Sequence, residues 1–489
     1  MNWAVIENNK KISTFDIPTL SMEEIKEDIK RTNHRVIGFF GKQEGENVRL
    51  YVVLADDKQG KLYVSSSLFN KDEKQYNSLT QEIPSLHIFE REFFEEFEIE
   101  PKNHPWLKPV RNHRKEYPFF EMKGEEVHEV AVGPIHAGVI EPGHFRFMCH
   151  GEKVYDLEIM LGYQHRGIEN LLLTSQYNNR LAESICGDTV IGHNMAYSQV
   201  IEALTDTKIT NKAEILRNIA LEMERVAVHI GDMGALAGDM AYLMGASIFG
   251  VTRTLVINTM LEISGSRFGR GLIDVGGINF DIDPAMSDKI IKMLDEVERT
   301  VVRTAEIMLK APSCISRMER TGAVSKENAL ALGAVGMAAR SSGVNIDSRF
   351  DFQNKWYHKI KNCKYNSVFK PTGDVYARFS LRYKEIKESI CYIKALLGEL
   401  KNYQNEELKT QINNKPEANS LVVSIVEGWR GEIVHIAITD ENAKLQRYKI
   451  KDPSFNNWYI LAMAVRNNGI SDFPLCNKSF NLSYCGNDL

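Results

Sequence analysis

The chain has 489 residues, 43% of them apolar and 26% charged, and a formal net charge of −5 at pH 7. That length exceeds one ordinary core, so about two to four domains, or one large core with an appendage, are expected. The mildly acidic balance gives no basis for nucleic-acid binding, and the start MNWAVIENNKKIST lacks the apolar centre of a secretory signal.

Residues 1–100 read as a small α/β domain. HRVIGFFG, VRLYVVLAD and KLYVSSSL carry the short β-branched and aromatic runs of strands. SMEEIKEDIKRT opens on a Ser, has acids in its first turn and spaces its apolar residues as a helix does. SLHIFEREFFEEFEIEP is acidic and aromatic and stops at Pro101. Residues 101–127 form a linker in which Pro101, Pro105, Pro109 and Pro118 bar a regular helix and the charges are expected to keep the chain solvated.

Residues 128–489 form the second domain, mainly helical with a few strands. HFRFMCHGEKVYDLEIMLG alternates like a hairpin turning at His150-Gly151-Glu152, and ILRNIALEMERVAVHIGDMGALAGDMAYLMGA is apolar on most faces, as a helix in the middle of a large core would be. Met233, Met240 and Met244 follow its helical spacing and are expected in the core. Helices are also expected over residues 287–310 and 377–402, and LVVSIVEGWRGEIVHIAITD returns to strands around Gly428 and Gly431. No apolar run reaches the ~18 residues a membrane-spanning helix needs. A cytoplasmic chain is expected, reaching a membrane only by docking on other subunits.

The seven cysteines, Cys149, Cys186, Cys314, Cys363, Cys391, Cys476 and Cys485, are scattered, so a framework of disulfides is not expected. No C-x-x-C pair occurs, which argues against an iron–sulfur cluster or structural zinc held by this chain alone.

Two sets of motifs resemble a known family. FEREFFEEFEIEPKNHPWL is similar to the signature of the complex I 30 kDa subunit, with Glu90-Arg91-Glu92 and His104-Pro105-Trp106-Leu107 at its core. GPIHAGVIEPGHFRF, GYQHRGIENLL, RFGRGLIDVGGI, RTGAV, SSGVNIDSR, GDVYARFSLRYKEI and EGWRGE follow the order of the complex I 49 kDa subunit and of group 4 nickel–iron hydrogenase large subunits. The GPIHAGVIEPGHFRF form is closer to the formate hydrogenlyase and hydrogenase-4 branch, whose large subunits fuse both parts in one chain. The resemblance implies an α+β fold, with a small α/β domain joined to a large, mainly helical domain carrying short antiparallel sheets. It also implies an iron–sulfur small subunit with a 4Fe–4S cluster, a ferredoxin-like subunit and membrane antiporter-like subunits as partners.

In that family a nickel–iron centre is held by thiolates from a C-G-x-C-x-x-x-H segment and a C-terminal C-x-x-C, soft donors that suit nickel. Here the first segment runs from Cys186 to His193 with Thr189 at the second cysteine position. In DFPLCNKSFNLSYCGNDL, matching the family's D-x-P-L to Asp472–Leu475 puts Ser483 and Gly486 at the other two positions, with Cys485 one residue off; a second frame uses Cys476 and Ser479. Neither supplies four sulphurs, so a nickel–iron centre is not expected.

The resemblance also marks residues that could act on protons or substrate. Glu169 matches a position implicated in proton transfer; the alternative is an ion pair with Arg166 or another Arg as a core brace. His144 follows the loop whose His binds the quinone headgroup in complex I, although the partner tyrosine falls near Gly187 here. Cys186 is either a reactive thiol or a small buried hydrophobe, and His193 bonds either to a neighbour at the former site or to backbone. Arg267, Arg270, Arg340 and Arg430 are expected mostly in core ion pairs. Two readings follow: a redox subunit acting on something other than hydrogen beside a partner's cluster, or a coupling subunit without chemistry, its vacated site filled by side chains such as Tyr484 and Phe480. A working hydrogenase with unusual ligands is a third.

Overall fold

The computed structural model describes residues 1–489 other than 113–116, 139, 175, 176, 353, 361–370 and 413. Cys363 therefore lies outside the described residues. The three N-terminal strand readings hold: Arg35–Glu44, Asn47–Asp56 and Lys61–Phe69 form an antiparallel meander with Ala4–Ile6 on its outer edge. The helix Met22–Thr32 begins with a reciprocal cap, in which Ser21 Oγ accepts from the Glu24 N–H and Glu24 accepts from the Ser21 N–H. Helix His87–Phe97 covers one face of the sheet, with Phe93 edge-on to Phe39. Gly41 permits that approach, since a Cβ there would meet the Phe97 ring at 2.3 Å.

A second four-stranded sheet runs in the order Leu445–Lys451, Glu432–Thr439, Ser420–Glu427, Lys11–Ser13. Its last strand comes from the N-terminus, so the two ends of the chain are joined by backbone pairing. Every residue of Ser420–Glu427 and Glu432–Thr439 is buried. One face packs on the N-terminal sheet, bringing Leu421, Val423 and Ile436 together with Ile37, Tyr51 and Val53; helix Val190–Leu204 lies on the other. Strands covered on both faces read as continuous apolar runs, as LVVSIV and IVHIAI do.

The helical core is built from Asn211–Asp239, Leu243–Ser264, Pro284–Met308 and Val375–Leu400. The stretch read as one helix is in fact two. The chain turns after Asp239, where Ala241 takes a φ of 57° and Tyr242 leads into the next helix. The turn carries Met244 out of the core to 54% exposure, contrary to expectation, while Met233 is buried. Among the described residues, Leu243–Ser264 is the one helix long and apolar enough to cross a membrane, by length and composition, although no such run was expected from the sequence. Its apolar character is diluted by Ser, Thr, Gly and Asn, and it packs against Asn211–Asp239 and Pro284–Met308.

The linker also departs from expectation. Lys108 is 1% exposed, with Nζ 3.5 Å from Glu158, and burial pushes its amine down to about 8. Arg91 donates to the carbonyls of Lys108 (2.6 Å) and Pro109 (3.2 Å) and stacks 4.4 Å from the Trp106 ring. Lys108 and Arg111 turn inward because each finds a partner there, Glu158 and Glu92, which offsets the cost of leaving water, whereas Lys102, Glu121, Lys123, Glu125 and Glu126 stay exposed as expected. The linker ends in strand Val127–Val132, which pairs with His144–His150, and the expected hairpin continues through Gly151 to Lys153–Met160.

Five described cysteines are free, four of them buried, and Cys391 is disulfide-bonded.

Candidate functional site

The C-G-x-x-x-x-x-H segment sits at the start of helix Val190–Leu204, and the end of the chain folds back onto it. Cys186 Sγ lies 3.1 Å from Ser483 Oγ and donates to Asp188 Oδ1 at 3.0 Å. Ser483 Oγ is in turn 3.5 Å from Cys485 Sγ. Ser483 caps the last helix, Tyr484–Asp488, by accepting the Gly486 N–H at 2.8 Å, which leaves its own proton for a sulphur. The neighbouring Cys485, then burial and Asp188, push Cys186 well above the ordinary thiol range. Cys186, with the Ser483 hydroxyl and Glu141, holds Cys485 well below that range against burial. Of the two C-terminal frames, Cys476 is buried next to Gly322 and Arg378, while Ser483 lies against Cys186 and Gly486 lies against Ser483 and Asp452.

A guanidinium closes the site. Arg430, from the turn between the two buried strands, donates to Asp188 through both terminal nitrogens (2.6 and 2.7 Å), to Thr189 Oγ1 (3.0 Å) and to Cys186 Sγ (3.3 Å). It stacks 3.9 Å from the Trp429 ring, whose indole N–H donates to the Asp188 carbonyl at 2.9 Å. A bidentate, stacked arginine is held in place far more firmly than a lysine would be. Opposite it, burial and the neighbouring Cys485 raise the Glu141 carboxyl to about 8. Glu224 accepts the N–H groups of Ile191 (2.8 Å) and Gly192 (3.3 Å) behind the site, and burial raises it to about 8 as well.

His193 starts a buried chain of side chains. Its Nε2 is 3.1 Å from Asp452 Oδ2, its Nδ1 is 3.1 Å from His435 Nε2, and His435 Nδ1 is 2.9 Å from the Tyr448 hydroxyl. All four are at most 1% exposed. Burial, then the neighbouring His193, holds His435 well below the usual imidazole range, and burial raises Tyr448. Burial would raise Asp452, but His193, Arg430 and Ser454 together outweigh it and the carboxyl is lowered. The four side chains form one line of hydrogen-bonding partners from Tyr448 through His435 and His193 to Asp452, an arrangement able to pass a proton. Asp452 reaches the thiol site through Gly486, where a Cβ would lie 2.8 Å from the Asp452 carboxyl carbon.

The other expected residues fall elsewhere. Glu169 lies in a separate cleft of about 400 Å³ with Glu92, Arg111, His165 and Arg447. It accepts the Ile450 N–H at 2.8 Å and pairs with Lys449 at 3.1 Å; its expected partner Arg166 instead donates to the carbonyls of Ser184 and Ile185, bracing the backbone that leads to Cys186. His144 is 3.3 Å from the Gly133 carbonyl, packed against Phe119. Arg340 is in a core ion-pair network, as expected, whereas Arg267 and Arg270 are exposed. Tyr484 packs between Phe145 and Trp458, and Phe480 lies under Arg378, so neither fills the space beside Cys186. Sequence reasoning missed Glu141, Asp188, Asp452, His435 and Tyr448. Asp188 and Glu141 lie inside matched motifs and could have been singled out; the others are brought in by sheet pairing alone.

The protein is thus a small sheet-and-helix domain fused to a helical core, with the C-terminus folded onto a Cys–His helix start. Residues 239–488 match the family of the respiratory-chain NADH dehydrogenase 49 kDa subunit, and residues 21–119 match that of the 30 kDa subunit. The chain belongs to this family, as a fused large subunit of the branch that unites complex I with the group 4 hydrogenases. It is 26% identical to hydrogenase-4 component G of Escherichia coli, over 87% of this chain and 78% of that one. It is 26% identical to formate hydrogenlyase subunit 5 of the same organism, over 92% and 84%. The carbon monoxide-induced hydrogenase of Rhodospirillum rubrum is 29% identical over 72% of this chain and 96% of its own.

Proposed function

We propose that this chain is the large subunit of a membrane-bound, complex I-related oxidoreductase in which the nickel–iron centre has been lost and the site serves another acceptor or energy coupling. The observation that carries the reading is the donor set at the family's ligand positions: Cys186, Thr189, Ser483 and Gly486. The residues do not fit a nickel–iron centre. A hydroxyl is a hard donor, protonated at neutral pH, and glycine offers none. A side chain restored at Gly486 would collide with Asp452 at 2.8 Å. The Arg430 guanidinium, 3.3 Å from Cys186 Sγ, puts a positive charge beside the sulphur. Among the described residues no group of three His, Cys, Asp or Glu side chains converges to hold a metal ion.

What remains is suited to protons. The thiol pair, Glu141 and the chain from Asp452 to Tyr448 can each hold one, and Glu169 lines a cleft on the far side of strand Leu445–Lys451. Such groups would accompany electron transfer at a 4Fe–4S cluster in an iron–sulfur small subunit. A ferredoxin-like subunit and membrane antiporter-like subunits complete the proposed assembly, which sits on the inner face of the cell membrane. The names of relatives support it: one is a membrane-bound hydrogenase subunit alpha, from Pyrococcus furiosus.

The test is to isolate the assembly through a tag on this chain, identify its other subunits, and assay hydrogen evolution from a reduced viologen. Co-purification of an iron–sulfur subunit and membrane subunits without hydrogen evolution is expected. Hydrogen evolution that depends on Cys186 would overturn the loss of the centre.

A further inference from the structure

Cys186 and Cys485 form a pair that no metal explains. They flank one hydroxyl, Ser483 Oγ, at 3.1 and 3.5 Å. Cys186 is buried and Cys485 is partly exposed, so one sulphur is reachable and the other stands behind it. Ser483 Oγ lies 3.5 Å from Cys485 Sγ, and the polar groups around that sulphur hold its thiol below the usual range, which favours a thiolate there. Arg430, at 3.3 Å, can stabilise a thiolate at Cys186 in its turn. Cys485 lies in the five-residue terminal helix Tyr484–Asp488, which Ser483 caps, so the hydroxyl between the two sulphurs also fixes where that helix begins. Free Cys149, Cys314 and Cys476, by contrast, are buried in separate surroundings.

We propose that Cys186 and Cys485 are a redox-active dithiol that closes to a disulfide by exchange with a low-molecular-weight disulfide, such as oxidised glutathione. The Cys485 thiolate attacks one sulphur of the small disulfide, whose S–S bond breaks and releases one small thiol. Cys186 then loses its proton and attacks the Cys485 sulphur of the mixed disulfide, releasing the second small thiol. Two protein thiols and one small disulfide become one protein disulfide and two small thiols, which carry off both protons. Closing the bridge removes the Cys186 proton from Asp188 and pulls the terminal helix toward the Arg430 clamp. The state of the pair therefore sets the charge and shape of the site. This inference rests on the reading that no nickel occupies these sulphurs.

The test uses the purified assembly, incubated without oxygen in glutathione buffers of defined oxidised-to-reduced ratio, then acid-quenched, denatured, alkylated and digested for mass spectrometry. Nickel is measured on the same sample. A peptide joined through Cys186 and Cys485 should rise from about a tenth to about nine tenths of the chain over roughly a hundredfold change in the two-electron ratio. Cys149, Cys314 and Cys476 should stay alkylatable throughout, and Cys186→Ala should stop at glutathione on Cys485. A nickel-free sample in which both thiols remain alkylatable at every ratio, or in which wild-type Cys485 stops at the mixed disulfide, overturns the dithiol alone. Nickel bound near one per chain, with both sulphurs resistant to oxidation, would sink the metal-free reading along with it.

Discussion

Two buried ionic assemblies lie within this fold, and they are built on opposite rules. In the helical core, Arg340 pairs with Glu385 (2.9 Å), Glu427 (2.7 Å) and Asp347 (3.7 Å), and His229 donates to Glu385 at 2.9 Å. Each of these side chains is at most 2% exposed, and each charge faces an opposite one. At the thiol site, by contrast, two sulphurs flank one hydroxyl, burial raises two carboxyls to about 8, and the fixed pair is Arg430 with Asp188. A network held by fixed guanidinium–carboxylate pairs serves as a brace. A site with protons held near their release points can respond to a neighbour's change of charge. The contrast separates architecture from chemistry without reference to any bound group.

Breaking the brace should cost most. Arg340→Met takes from buried Glu427 its ion-pair partner, while Asp347 keeps Arg349 and Glu385 keeps Arg225, and should lose about 3–5 kcal/mol, read as a lower urea midpoint. Arg430→Met should cost less, about 1–3 kcal/mol, because Asp188 keeps partial access to water; equal losses at the two positions would erase the distinction. The interface between the two domains gives an acid-sensitive term. Burial would raise Glu432, but Arg35 (2.7 Å) and Lys451 (2.8 Å) outweigh it and hold the carboxyl far below its usual range. Its contribution should be complete above the unfolded value of about 4.3 and be lost as pH falls below it, by about 2–3 kcal/mol in all. Thermal melts from pH 7 down to pH 2 check this, and Glu432→Gln should flatten the profile. A base-sensitive effect belongs to the site. Glu224, raised to about 8, binds one proton more in the folded than in the unfolded chain between pH ~4.5 and ~8, so stability falls as pH rises through that window. Glu224→Gln should gain up to about 1 kcal/mol per pH unit over wild type there and nothing below it.

The fold was largely legible in the sequence because period and punctuation agree. Alternating strands met Gly turns, and Ser21 with Glu24 announced a cap that is present. The break after Asp239 was not legible, since GALAGDMAYLMGA keeps its apolar spacing across a turn that only Ala241's backbone reveals. The inward charges of the linker were missed for a related reason: a Lys counts as solvated until a partner such as Glu158 is placed beside it. At the site, Cys186 and His193 could be named from one local motif. Their partners Asp452, His435 and Tyr448 come from a strand pair and a helix start more than two hundred residues away, joined to them only by the buried sheet.

The central claim is that this large subunit has kept its fold and its proton-bearing groups while giving up the family's metal. Nickel and iron per chain, measured by elemental analysis on the purified assembly, tests it most directly. The account predicts nickel at background, with iron accounted for by clusters in the other subunits. Nickel near one per chain would contradict it and restore Cys186 and Cys485 as ligands of an unusual centre.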